Sequence, residues 1–202
     1  MKGRGFRREQ LEAFRDAEVP DLLPPDGLEL RLLFVGINPG LWTAAVQTHF
    51  ARPGNRFWPA LLAAGVIEDA VDPAAGMTDR DREGVTSRGI GITNLAPRAT
   101  AKASELSAAE LRRGGERLRA LVRARSPRVV AVLGISAYRH AFARPKAVPG
   151  LQPEPLEGAR LWVVPNPSGL NAHETVASLA RAYAEPARAA GVVSRAGERS
   201  SP

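Results

Sequence analysis

Apolar residues fall along this chain in two kinds of run. Leu32-Leu33-Phe34-Val35, Val129 to Leu133 and Leu161 to Val164 are short and continuous, the pattern of strands buried on both faces of a parallel sheet. Gly36 and Pro39 end the first of them, and Gly89 to Leu95 alternates like a further strand that leads into a loop. Between these runs the spacing is helical. Asn55 to Ala64 predicts a short helix stopped at Gly65, where a left-handed cap is easiest for glycine. Ser107 with Glu110 three residues later is a capping box, which opens a long Leu- and Arg-rich helix to about Arg125 with Pro127 marking its end. A helical stretch follows Gly134 through Tyr138 and Phe142, and Asn171 with Glu174 is expected to cap a final helix to about Ala190. Residues 66 to 88 are polar, broken by Gly and Pro, and fit neither period. Strand and helix alternate to the end, which predicts a three-layer α/β/α fold with a central, mainly parallel sheet. Ligands of such sheets bind outside the C-terminal ends of the strands.

At 202 residues one domain is expected. Residues 1–28 mix charges with Pro20, Pro24 and Pro25 and read as a partly helical arm and linker; 29–191 form the domain; 192–202, rich in Ser, Arg and Gly, read as a disordered tail. No apolar run approaches the roughly 20 residues of a membrane span. The basic start MKGRGFRREQ has no apolar segment or cleavage site after it, so a cytoplasmic, nucleoid-associated protein of bacterial type is expected, with no membrane partner.

Composition removes several chemistries. There is no cysteine, and hence no thiolate nucleophile, cysteine-ligated zinc or iron–sulfur cluster. His49, His140 and His173 are far apart, without the i, i+4 spacing of a helical metal site. Neither metal nor other cofactor is expected. Lys and Arg exceed Asp and Glu by 28 − 21 = 7, a balance that suits a polyanion such as nucleic acid. All but Lys2, Lys102 and Lys146 of the 28 cations are Arg, in a chain crowded with Ala, so codon composition explains the charge equally well.

Two loops after strands stand out. Gly36-Ile37-Asn38-Pro39-Gly40 follows the first strand and Asn166-Pro167-Ser168-Gly169-Leu170 the last, each setting Asn-Pro beside Gly where turn chemistry alone could require it. GINPG has no Gly-Lys-Ser/Thr and is not a Walker loop, and GIGITN lacks the third glycine of a dinucleotide fingerprint. Gly134-Ile135-Ser136-Ala137-Tyr138 lacks the closing glycine of a nucleophile elbow. Ala147-Val148-Pro149-Gly150 lacks the second glycine of a DNA-binding hairpin turn and reads as a loop.

FVGINPGLWTAAVQTHFARPGNRFW and VVPNPSGLNAH resemble the two signature regions of the mismatch-specific uracil-DNA and thymine-DNA glycosylase family, within the uracil-DNA glycosylase superfamily. GIGITNLAPRAT and ELSAAELRRGG between them are similar too, so the likeness runs from about residue 31 to 190. It implies a DNA-repair enzyme that flips uracil out of a G mispair and hydrolyses its N-glycosidic bond, monofunctionally, with thymine or exocyclic cytosine adducts as further substrates. The implied partner is double-stranded DNA containing G·U or G·T mispairs, bound by a monomer.

The resemblance also assigns residues. Asn38 stands where the family places its water-positioning asparagine; an amide orients water without acting as a strong base, so catalysis is expected to be slow. Its alternative is an Asx-turn residue. Phe50 stands where the family stacks an aromatic on the flipped base, a contact worth about 1–3 kcal/mol, whereas Phe57 and Trp58 have the helical context of core. Ile37 and Phe50 are implied to offer backbone N–H groups to the base carbonyls. Asn166 replaces the histidine that faster relatives use on the leaving uracil, and a neutral donor stabilises that anion less. Thr43 borders the pyrimidine C5 position and Asn94 lies in the loop after GIGIT. Gly169-Leu170-Asn171 resembles the wedge that fills the vacated stack and contacts the widowed guanine, although Leu170 could also serve as a hydrophobic staple for the last helix. Ala172 and His173 depart from the basic residue often found just after the wedge. Two other readings compete: an inactive DNA-lesion reader with the same pocket, which retention of Asn38, Phe50 and the wedge argues against, and a nucleotide-binding α/β domain, which the lack of a Lys or acidic metal cluster argues against.

Overall fold

A computed structural model of the protein describes residues 5–193 of the 202. The continuous apolar runs are the strands: β1 (Leu32–Gly36), β2 (Ile90–Asn94), β3 (Val129–Leu133) and β5 (Arg160–Val164), joined at the edge by the two-residue β4 (Gly150–Leu151). The sheet order is β2-β1-β3-β5-β4, with β2, β1, β3 and β5 parallel and β4 antiparallel to β5. The expected α/β/α architecture is present. Residues 147–150, read as a loop, therefore lead into an edge strand.

Side chains that alternate along each strand divide between two helical layers. Leu32, Phe34, Ala131, Leu133, Trp162 and Val164 pack with Phe57, Trp58, Leu179 and Tyr183, from α3 (Phe57–Ala63) and α7 (Val176–Ala190). Leu33, Val35, Val130, Val132, Leu161 and Val163 pack with Leu118, Val122, Ala137 and Tyr138, from α5 (Ala108–Arg125) and α6 (Ile135–Ala141). Phe57 and Trp58 are core, as the sequence indicates. The Ser107 box opens α5 as predicted, its hydroxyl accepting from the Glu110 amide. Gly114 and Gly115 inside α5 each cost helix propensity of about 1 kcal/mol. A Cβ on Gly114 would stand 2.4 Å from the Leu95 carbonyl oxygen and one on Gly115 2.5 Å from that of Ala141, so Gly114 lets α5 lie close under the loop after β2 and Gly115 lets it approach the end of α6.

Three elements depart from the sequence reading. The 66–88 stretch contains α4 (Asp79–Thr86), opened by a Thr78–Asp81 capping box; it buries only Val85 and so carries little apolar period. The last helix is capped by Thr175, whose box partner is Ser178. Asn171 does not cap it, because its side chain is held in the preceding loop: Nδ2 donates to the Asn166 carbonyl at 3.3 Å and Oδ1 accepts from the His173 amide at 3.3 Å. Finally, both ends of the domain reach further than the pattern indicates. Val192, assigned to the tail, is buried, and residues 194–202 lie outside the described residues. The arm packs on the body: α1 (Arg8–Glu12) leads into a segment whose Val19 and Leu22 are buried, and Glu18 and Leu22 form antiparallel bridges with Arg98 and Ile92. Between β1 and α3 lies one further helix, α2 (Leu41–Val46). Among the described residues no helix is long and apolar enough to cross a membrane.

Candidate active site

The loops that leave the C-terminal ends of β1, β2, β3 and β5 converge with the 47–56 connection to form a cleft of about 140 Å³. Ile37, Asn38, Thr43, Phe50, Asn94 and Asn166 all line it, so the structure brings together every residue assigned to base binding or catalysis from the sequence. Gly169, Leu170 and Asn171 follow its rim residue Ser168. A roomier cleft of about 410 Å³ lies beside α6 and residues 143–156, but it contains none of these amides, and volume alone does not make a reaction site.

Asn38 is held by its nitrogen. Nδ2 donates to the Pro39 carbonyl at 3.0 Å, the Arg98 carbonyl at 3.1 Å and Thr100 Oγ1 at 2.8 Å. Thr100 Oγ1 itself donates to the Lys102 carbonyl at 2.8 Å, so toward Asn38 it can only accept. Three acceptors fix which end of the amide is which. Oδ1 is left as a free acceptor, with no donor among the described residues, in the wall of the cleft. This bonding is not an Asx-turn.

Phe50 sits in a turn with φ +57°, a left-handed conformation that costs a bulky residue of order 1–3 kcal/mol and that clusters at functional sites. The turn is secured from behind: Thr43 Oγ1, buried, accepts from the Ala51 amide at 3.3 Å, and Trp58 Nε1 donates to the His49 carbonyl at 2.9 Å. The Phe50 ring stacks on Phe57, centroids 4.0 Å apart, which braces it against the core. Gly36 makes room at the strand end, since a Cβ there would stand 2.4 Å from Asn94 Oδ1 and 3.2 Å from Phe50 Cζ. The backbone amides of Ile37 and Phe50 have no acceptor among the described residues.

Asn166 closes an Asx-turn, its Oδ1 accepting from the Ser168 amide at 2.9 Å, so its nitrogen is the end left to donate. The rim beyond it is clasped by Arg56. Its backbone amide donates to the Pro167 carbonyl at 3.0 Å, Nη1 to the carbonyls of Asn171 at 3.0 Å and Ser168 at 3.3 Å, and Nη2 to that of Gly169 at 3.4 Å. Gly169 has no space for a side chain, because its Cβ would stand 2.6 Å from the Gly54 carbonyl oxygen. Leu170 at the tip is 75% exposed, which removes the staple reading.

The sequence of residues 24–186 matches the profile of the uracil DNA glycosylase superfamily. The chain belongs to this superfamily. It is accordingly a DNA glycosylase, an N-glycosyl hydrolase of base excision repair whose partner is DNA. In this glycosylase the sequence reasoning missed Thr100, Arg56 and His49, each of which holds a site residue: Thr100 and His49 from the cleft wall, Arg56 from behind the rim. All three lie within the segments that resemble the family, His49 and Arg56 in the first signature and Thr100 at the end of GIGITNLAPRAT, but nothing local marks their supporting roles. Among the described residues, no three His, Cys, Asp or Glu side chains lie together as metal ligands would.

Proposed function

We propose that this glycosylase is of the mismatch-specific type, hydrolysing the N-glycosidic bond of uracil opposite guanine in duplex DNA by direct attack of water. The observation that carries the reading is the amide of Asn38, whose nitrogen is spent on three acceptors while its oxygen stays free. Such an oxygen accepts a hydrogen bond from water and aims it, but is too weak a base to ionise it. Positive charge growing on the sugar as the base departs must then do most of the work, so the leaving group governs the rate. The uncommitted Asn166 nitrogen and the Ile37 and Phe50 amides would receive the charge that builds on the base. No lysine lines the cleft among the described residues, which favours hydrolysis over a Schiff-base lyase reaction.

Preference for a mispair rests on the wedge. Leu170 is exposed at the tip of a loop whose backbone is clasped by Arg56, a rigid apolar group able to enter the stack as the base leaves. Unstacking and unpairing cost least at a mispair. Arg52, exposed at the cleft mouth, suits a backbone phosphate beside the flipped nucleotide. We infer that thymine is a slower substrate of the same pocket and that the protein acts as a monomer.

The test is single-turnover excision from matched duplexes carrying G·U, A·U and G·T, and from single-stranded uracil DNA. The expected order is G·U fastest, with A·U at least tenfold slower. Equal rates on G·U, A·U and single strands would remove the mismatch-specific reading, and inactivity on every uracil substrate would remove the activity.

A further inference from the structure

His49 is a buried imidazole with one bond on each nitrogen. Nε2 lies 3.0 Å from the carbonyl oxygen of Pro20, and Nδ1 lies 3.3 Å from Asn94 Nδ2. A carbonyl can only accept, so Nε2 carries the proton of the neutral ring and Nδ1 must accept. Burial holds the imidazole below the ordinary histidine range and keeps it neutral. The donor to Nδ1 is therefore the Asn94 nitrogen, and the Asn94 amide has only one orientation: nitrogen toward His49, Oδ1 toward Gly36, 2.4 Å from where a Cβ there would stand.

Pro20 is itself fixed. It lies between the antiparallel bridges of Glu18 with Arg98 and Leu22 with Ile92. The Leu22 amide donates to the Ile92 carbonyl at 2.9 Å, the Leu22 carbonyl accepts from the Ile92 amide at 2.7 Å, and the Ala99 amide donates to the Ala17 carbonyl at 2.9 Å. Arg98 Nη1 reaches Asp16 at 2.9 Å. These arm residues all lie upstream of the segment that matches the superfamily, 24–186.

We propose that residues 16–22 of the N-terminal arm are a strap that sets base selection: through the Pro20 carbonyl and His49 they lock the Asn94 amide with its oxygen toward the base, so that the pocket takes a pyrimidine bearing N3–H and refuses one whose N3 is bare. This rests on the glycosylase reading above and names its substrate class. Uracil and thymine offer an N3–H donor to Asn94 Oδ1, whereas cytosine presents an acceptor there, and two acceptors face to face leave both unpaired. His49 is a positioning residue. It touches Asn94, not the reacting bond.

The proposal is tested on the full chain by two measurements. Long-range ¹H–¹⁵N correlation of the histidine rings is expected to show His49 protonated at Nε2 at neutral pH; protonation at Nδ1 would overturn the relay. Single-turnover excision of 5-fluorouracil and 5-fluorocytosine opposite guanine, two activated leaving groups that differ at N3 and C4, reads the selection. His49→Phe, which keeps a ring but removes the acceptor, should slow 5-fluorouracil by about tenfold or more and narrow the preference over 5-fluorocytosine at least tenfold, as freed Asn94 turns over. Leu22→Ala, on the strap and outside the cleft, should narrow the same ratio several-fold. Rates on both bases that fall by one common factor would show a merely structural role and refute the proposal. Should His49→Phe fail to fold, the parent's tautomer and the Leu22→Ala ratio decide. A parent that cleaves neither base would count against the glycosylase reading, while the tautomer still judges the relay.

Discussion

Replacing Asn38 by alanine separates what its two amide ends do. The nitrogen end is structural: its loss leaves the Pro39 and Arg98 carbonyls and Thr100 Oγ1 without that donor. Because Asn38 is only partly buried, water can reach the gap, and the expected destabilisation is about 1 kcal/mol, at the low end for an abandoned polar group. The oxygen end is chemical. Losing a group that acts in the transition state costs about 10²–10³ in rate, equivalent to about 2.7–4 kcal/mol. The two effects differ enough in size to be told apart. Rapid-quench excision from G·U DNA with enzyme in excess gives the rate constant, thermal unfolding gives the stability, and anisotropy gives product-DNA affinity, which should barely move. Thr100→Val is the control, since it removes one acceptor of the nitrogen and leaves the oxygen; it should cost about tenfold or less in rate, through looser aim. An Asn38→Ala enzyme within about threefold of the parent rate would refute the reasoning and return Asn38 to the loop.

Leu170→Ala should leave stability within about 0.5 kcal/mol, as for an exposed side chain, yet reduce both duplex excision and the fluorescence rise of a 2-aminopurine placed beside the uracil; equal values for mutant and parent would remove the wedge. The bond from Arg98, followed by bonds from Ser107, holds the Glu110 carboxyl down at about 2, from the ordinary 4.5. A depressed acid stabilises the fold above pH 4.5, and that contribution is lost as pH falls toward about 2. Chemical denaturation of Glu110→Gln should accordingly show a shallower fall in stability across that window than the parent, and identical slopes would dismiss the Arg98–Glu110 bond as a contributor.

What the sequence made legible follows from what is local. Continuous runs such as Val129–Leu133 are buried on both faces, so they announce strands of an internal sheet without any knowledge of their neighbours. Asn38 and Asn166 were findable because each stands in an Asn-Pro turn directly after such a run. The sheet order was not findable from pattern alone, since nothing in β1 encodes that β2 and β3 flank it. The same limit hid the supports of the site. Thr100 holds Asn38 across 62 positions, Arg56 reaches Asn171 across 115, and His49 meets Pro20 across 29 and Asn94 across 45. Local competition misled in one place. Asn171 and Glu174 offer a plausible cap four residues before the true pair of Thr175 and Ser178, but the Asn171 amide stabilises the rim loop instead. The arm read as a linker because its burial comes from isolated residues, Val19 and Leu22, with no period to betray it.

The central claim is that this cleft hydrolyses a glycosidic bond with groups from the chain alone. The most direct measurement is mass-spectrometric detection of the free base released from a G·U duplex in the presence of EDTA, with the DNA strand examined before and after alkali. The account predicts one uracil per duplex, an intact strand before alkali, a cut at the former uracil afterwards, and no release by the Asn38→Ala enzyme on the same timescale. Strand scission without alkali, or uracil release that stops with EDTA and returns with added metal, would contradict it.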